Sequence, residues 1–295
     1  MPSGPNTVGS LADSMDDVRS SARTIREYAN IMGRLVDTTR LEVGNGTDWK
    51  EVTLNKLTAS GIEELTDLEQ NPQQIVDSLF TIRPTLVGMS VFMTDLAKIR
   101  ISAVVAAKLG VLTENAMARK SDVDIIAAAQ AATTDLGTAN NPMASDLISA
   151  GSAIIKGNTT EPWDGPIAVV MKSFQLKDIQ DEGVAGFGTY PVPSDSLTAD
   201  WLKHCYSGPL YKSDVYSDDN ISVDGSDDSI AFIFASGANG AIVQVTGQEA
   251  RRVTERKEGI GGGAEIMYNT DQYGLGIRQQ AWIRAITADS STPAA

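Results

Sequence analysis

Between residues 41 and 132, two polar strand-like limbs run straight into one long alanine-rich helix, and this pairing restricts the folds open to the chain more than any other feature. The outgoing limb, residues 47–57, mixes Trp49, Val52 and Leu54 with Lys50, Glu51 and Lys56, so neither face is cleanly apolar. The return limb begins at Phe80, and Pro84, which has no amide hydrogen to donate, confines its stretch to an edge or irregular position. From Leu86 to Met93 both faces are apolar, which predicts a strand entering a packed core. Between the limbs, Ile62, Leu65 and Leu68 recur at helical spacing behind a Ser60 cap with Glu63 three residues on. Isolated two-stranded ribbons are marginal in water. A ribbon this long therefore implies support from a partner subunit, with only its root buried in its own chain.

The helix is predicted to start at Thr94 or Asp95, both good N-caps. Its stripe of Ile101, Val104, Val105, Leu109, Leu112 and Ala116 keeps the 3.6-residue period, and Val123, Ile126 and Ala127 carry it on to about Ala132. Gly110 costs up to about 1 kcal/mol relative to Ala and marks a place for a bend. Ahead of the ribbon, residues 1–40 read as an N-terminal arm with a weak helical pattern through Val18, Ala22, Ile25 and Ala29.

After the helix, Pro142 opens a second one, closed by Gly157. An α/β run follows: a strand at 167–171, a helix at 173–182 ended by Gly183, a Gly/Pro loop to 193 and a short helix at 198–206. Then come an edge strand at 210–216 and an acidic loop holding Asp218, Asp219, Asp224, Asp227 and Asp228, read as solvated. Residues 230–235 and 241–245 are apolar enough for central strands joined by a turn at 236–240. Beyond 251–258 and a glycine hinge at 259–263 lie a strand at 264–269 and a continuous alternating strand. In the latter, Ile277, Ala281, Ile283 and Ala285 oppose Arg278, Gln280, Trp282 and Arg284. From Ala288 the composition predicts a disordered tail.

Composition excludes several functions. The net charge of −14 argues against a surface that coats nucleic acid, because phosphate binding relies on Lys and Arg. No apolar run is long enough to span a bilayer, and no charged-then-apolar leader follows Met1, so no membrane role is expected. The single cysteine, Cys205, excludes an internal disulfide and a cysteine-based zinc site. The only histidine, His204, is its neighbour; on a helix the two side chains diverge by about 100° and cannot form a nucleophile–base pair. The acidic loop lacks the Gly and Glu of a calcium loop, and neither glycine cluster, at 183–188 or 259–263, matches a phosphate cradle. No G-x-S-x-G elbow is present. No catalytic residue, metal site or cofactor is therefore expected. The basic cluster Arg251, Arg252, Arg256 and Lys257 alternates with acids in a pattern suited to subunit salt bridges.

In this order the pieces resemble the major capsid protein of tailed double-stranded DNA bacteriophages, the HK97 fold. The resemblance is carried by residues 95–132, especially 117–127 (MARKSDVDIIA), by 208–216, 230–250 and 268–286, and within the last by Tyr273, Gly274, Leu275, Gly276 and Ile277. It covers nearly the whole chain through element order and loose patterns. It implies an α+β fold with an N-terminal arm (1–40), an extended β-ribbon loop and its root (41–93), a spine helix of the peripheral domain (94–135), an apical domain (136–250), peripheral-domain strands (251–276) and a C-terminal strand and tail (277–295). It also implies self-assembly into pentamers and hexamers of an icosahedral head in the host cytoplasm, with portal, scaffold and decoration proteins as partners and double-stranded DNA enclosed without sequence-specific binding. The expected inter-subunit contacts are Trp49, Lys50, Glu51, Lys56, Glu63, Glu64, Asp67, Arg83, Arg252 and Arg256. Some relatives crosslink a ribbon lysine to an asparagine beside a glutamate; here only Lys50 and Lys56 lie on the ribbon, with Asn269 and Glu265 as suggestive partners, and no covalent mesh is expected. An encapsulin-type nanocompartment shell is the alternative within the fold. A carboxylate- and metal-dependent α/β enzyme is the alternative outside it.

Overall fold

The structure, a computed structural model, describes residues 31–42, 46–59, 61, 73–100, 103–187, 209–259 and 262–293. The arm up to residue 30, the ribbon segment 62–72 with its expected short helix, and the predicted helix at 198–206 with His204 and Cys205 lie outside the described residues.

Among the described residues, the β structure comprises two five-stranded sheets and a separate two-stranded ribbon. The ribbon pairs β2 (Trp49–Leu54) with β3 (Asp77–Ile82), antiparallel, with Trp49 opposite Ile82 and Leu54 opposite Asp77. Pro84 falls between β3 and β4 (Thr85–Thr94), outside both ladders, as a residue without an N–H must.

The first sheet is built on β11 (Ala264–Ile277), 14 residues long. β4 runs antiparallel along one side of it, while β10 (Arg251–Lys257) and then β9 (Ile242–Thr246) share the other. β1 (Asp37–Arg40) joins β9 in parallel at the far edge. The second sheet has the order β12 (Ile283–Asp289), β8 (Asp228–Ala235), β5 (Ile167–Met171), β7 (Ser213–Ser217) and β6 (Pro209–Leu210). β5 is buried at every position, as its unbroken apolar run requires. Around it lie α3 (Ser145–Lys156) and α4 (Ser173–Phe187), and Ile125, Ile126 and Ala129 of α2 (Ala103–Gln130) enter the same core.

The helix begins with α1 (Asp95–Arg100), where Thr94 Oγ1 accepts the Ala97 N–H and so acts as the cap. Gly110 leaves room for an arginine: a Cβ there would stand 3.0 Å from the Arg252 guanidinium, which lies against the helix.

Several expectations are corrected. The strands on either side of the 236–240 turn are not sheet neighbours: β8 belongs to the second sheet and β9 to the first. The alternating pattern at 277–285 is not one strand. β11 ends at Ile277, a 3₁₀ turn covers Gln280–Trp282, and β12 crosses to the other sheet. Sheet membership thus interleaves along the chain, and the division at 250 does not follow it.

The strand after the ribbon is an edge rather than a core strand. β4 pairs only with β11, and Leu86 is one of its exposed side chains. Residues 32–40 belong to the body rather than to an arm, with Met32 buried and β1 in the first sheet. The C-terminal segment is ordered well past Ala288: β12 runs to Asp289, and buried Ser290 donates its N–H to the Asp227 carbonyl. α4 passes through Gly183 to Phe187, and α3 starts at Ser145 rather than Pro142. The strand at 213–217 lies inside the sheet, with two-residue β6 as the edge.

The acidic loop is not simply solvated. Asp219 accepts from the Ser173 N–H and Oγ, Asp224 from the Ser226 and Asp228 N–H groups, and Asp228 from the Asn140 N–H. These carboxylates satisfy backbone donors that an irregular loop leaves without a ladder.

Candidate assembly surface

The ribbon has two unlike faces, because residues directly opposite in an antiparallel pair share a face and successive residues alternate. Trp49, Glu51 and Thr53 with Ile82, Phe80 and Ser78 form one; Lys50, Val52 and Leu54 with Thr81, Leu79 and Asp77 form the other.

The first face is the anchored one. Ile82 packs with Val243 and Val245 of β9, with Leu41, Trp49 and Phe80 around them. Trp49 and Phe80 meet edge to face with ring centroids 6.3 Å apart. Below them β11 supplies a notch with no side chains. A Cβ on Gly276 would stand 2.7 Å from Phe80 Cζ, and one on Gly274 would stand 2.8 Å from Ile82 Cγ2 and 2.9 Å from the Arg83 carbonyl oxygen. The two glycines that helped carry the family resemblance are therefore the seat of the ribbon root.

One arginine locks this seat. Arg278 donates from Nε to both Glu51 carboxylate oxygens (3.0 and 2.8 Å), from Nη2 to Asp37 Oδ2 (2.9 Å) and from Nη1 to the Gly240 carbonyl (2.8 Å). Its side chain is only 10% exposed. Ribbon, β1, the 236–240 turn and the end of β11 thus meet at one guanidinium, whose planar fork suits several fixed acceptors. Sequence reasoning selected Glu51 but passed over Arg278, which the alternating pattern made look like an ordinary outward residue. The available signal was an arginine just beyond the Gly-x-Gly strand that receives the ribbon.

The second face is open. Val52 is 56% and Leu79 60% exposed, opposite one another, and Leu54, Leu57, Ile75 and Val76 continue the exposed apolar surface toward the tip. Asn55 holds the limbs together there, donating its N–H to the Val76 carbonyl and accepting the Val76 N–H at Oδ1. Apolar side chains left exposed on a two-stranded element have the character of a contact surface.

The remaining expected contacts divide in two. Lys50 and Lys56 are exposed on the ribbon, and Arg83 comes 3.8 Å from Asp48. Arg252 and Arg256 are on β10, away from the ribbon, and are engaged within the chain: Arg252 with Gly110 and Met267 Sδ, Arg256 with Asp95 and Glu258. Glu63, Glu64 and Asp67 lie outside the described residues.

The opposite face of the first sheet carries α2. Tyr273 donates its hydroxyl to Asp124 (2.7 Å), and burial beside that carboxylate pushes the phenol pKa upward. Gln244 reaches Ser121. A half-open cleft of about 430 Å³ lies between Met117, Ala118 and Ser121 of the helix and Arg251, Asn269 and Thr270 of the strands. Asn269, suggested as a crosslink partner, faces this cleft rather than the ribbon.

Among the described residues, no cluster of three or more His, Cys, Asp or Glu side chains could hold a metal ion, and no helix is long and apolar enough to cross a membrane. No protein-family model matches the sequence, and no curated protein matches it. Solved structures do match in fold. The capsid of Ralstonia phage GP4 superposes with a TM-score of 0.69 at 10% identity, covering 98% of this chain and 100% of that one. The capsid of cyanophage P-SCSP1u gives 0.67 at 11% identity over 97% and 96%. The head of Helicobacter pylori bacteriophage KHP40 gives 0.65 at 13% over 99% and 100%. The chain has the α+β fold of these phage capsid proteins along essentially its whole length.

Proposed function

We propose that this chain is a major capsid protein, self-assembling into pentamers and hexamers of the icosahedral head of a tailed double-stranded DNA phage. The observation that carries the reading is the ribbon: anchored on one face by Arg278 and the glycine notch, it offers a neighbour the other face with Val52, Leu54 and Leu79 exposed. Oligomerisation supplies the burial that a two-stranded element lacks by itself. The fold shared with phage capsid proteins supports the same reading. In it, residues 41–93 are the loop that overlies the next subunit, 94–135 the spine helix, and the exposed Lys50, Lys56 and Arg83 the polar rim of that contact. Scaffold, portal and decoration proteins are its partners in the host cytoplasm, and the DNA is enclosed without sequence-specific contacts.

Size-exclusion chromatography with negative-stain microscopy of the expressed chain tests this reading. Capsomers or closed shells are expected. A monodisperse monomer at high concentration would refute it, and shells isolated from the native source containing protein cargo and no DNA would move it to a nanocompartment.

A further inference from the structure

Outside the ribbon, one pair of buried acids has no role in the assembly surface. Asp122 of α2 is fully buried and Asp218, just after β7, is 1% exposed. Asp122 Oδ1 accepts the N–H groups of Ile31 (3.2 Å) and Met32 (3.0 Å), and its Oδ2 accepts Asn220 Nδ2 (2.9 Å). Asp218 Oδ1 accepts the Asn220 N–H (2.9 Å), while its buried Oδ2 has no hydrogen-bond partner. A buried carboxylate oxygen without a donor is costly, but a protonated one becomes a donor itself. Asn220 brings Asp122 to the same place, since its N–H donates to Asp218 and its side-chain amide to Asp122.

We propose that Asp218 and Asp122 share one proton and form a latch that ties the 31–32 segment and the 218–221 turn to α2, a latch that loosens when the proton leaves. Three parts of the chain that are far apart in sequence are tied together by polar contacts there: the segment leading into β1, the long helix and the end of a central strand of the second sheet. Two unprotonated carboxylates in this place would repel each other and weaken all three attachments.

Other charged groups stand nearby among the described residues. Lys172, directly after β5, donates to the carbonyls of Asp219 and Ile221, and Asp219 is engaged by Ser173. Arg34 is exposed on the lead-in segment, and Arg119 stands one turn before Asp122 on α2. Burial, with Asp122 close by, raises the Asp218 pKa to about 7.

The sign follows from linkage. The folded chain keeps this proton at pH values where the unfolded or unlatched chain has lost it, so the latch is strongest in mild acid. Its contribution falls as pH rises from the ordinary carboxylate range to about 7 and is level above that.

The test is amide hydrogen exchange on the full chain at pH 5.5 and 8.5, corrected for intrinsic rates. Protection at Met32 and Asn220 should drop on the order of tenfold or more at the higher pH in the wild type. Asp218→Asn, whose amide donates to Asp122 at every pH, should abolish the difference. A pH-independent wild type, or the same pH dependence in Asp218→Asn, overturns the proposal. If that variant does not fold, infrared spectroscopy of the wild type decides: a protonated carboxyl band at pH 6 that bleaches by pH 8.5 supports the latch, and its absence at pH 6 refutes it.

Discussion

Replacing Arg278 by Ala tests the anchoring of the ribbon most directly. The substitution removes the side chain that joins Glu51, Asp37 and the Gly240 carbonyl, with Arg278 itself 10% exposed, Asp37 16% and Glu51 29%. Breaking a buried ion pair from one side costs about 3–5 kcal/mol, because the charges left behind stay desolvated. Glu51 keeps partial access to water, and Asp37 still accepts the Asn239 N–H, so the lower end applies: about 3 kcal/mol. For a chain of this size that corresponds to roughly 5 °C in Tm. Arg278→Lys retains the charge without the fork and should recover only part of the loss. Glu51→Gln keeps an acceptor and should cost about 1–2 kcal/mol. Thermal melts of unassembled subunits give the magnitude, and limited proteolysis of β2 and β3 shows whether the ribbon root has come loose. If Arg278→Ala melts within about 2 °C of wild type with the ribbon still protected, the guanidinium does not hold the ribbon and the argument for a preset contact arm fails.

Other perturbations separate folding from assembly. Deleting residues 58–74 should leave a soluble subunit with unchanged near-UV circular dichroism that no longer closes shells by electron microscopy. Val52→Asp or Leu79→Asp alters a side chain that is already exposed, so stability should change by no more than about 0.5 kcal/mol while shell yield collapses in a sedimentation assay. Gly276→Val meets Phe80 and Ile82 at 2.7 and 2.9 Å, and overpacking of this kind should cost about 1–3 kcal/mol in a urea melt and free the ribbon to protease. At Gly110, Ala gains up to about 1 kcal/mol of helix propensity but crowds the Arg252 guanidinium at 3.0 Å. Gly110→Ala alone should be near neutral, and Gly110→Ala in an Arg252→Ala background should show the gain, as a double-mutant cycle would measure.

Features whose causes are local were legible in the amino-acid order. The Thr94 cap, the burial of Ile126 on α2, the buried run of β5 and the exclusion of Pro84 from a ladder each depend on a few neighbouring residues, although Val123 and Ala127 of the same expected α2 stripe are exposed. The ribbon limbs were legible for the same reason; Glu51, expected to meet another subunit, is held by Arg278 of its own chain. Features that depend on which distant strand arrives next were not. The period-2 pattern at 277–285 runs on through a 3₁₀ turn because both flanking strands have a buried face, and nothing local marks the change of sheet. The acids at 218–228 look like solvated charge in sequence, yet their acceptors serve the amides of Ser173 and Asn140 from far along the chain.

The sequence by itself determined the ribbon and the long helix, because strand-forming limbs, helical period and capping chemistry are properties of short segments. Only the tertiary structure decided how the ribbon is seated. The Gly274–Gly276 notch, Val243 and Val245, and the Arg278 fork come from strands almost two hundred residues or more away from β2, and their contribution exists only once β9 and β11 lie side by side. The same reason separates the Asp122–Asp218 pair from anything readable in order alone. A carboxyl group is ordinary in water, and its proton affinity changes only when folding removes the water and sets a second acid beside it.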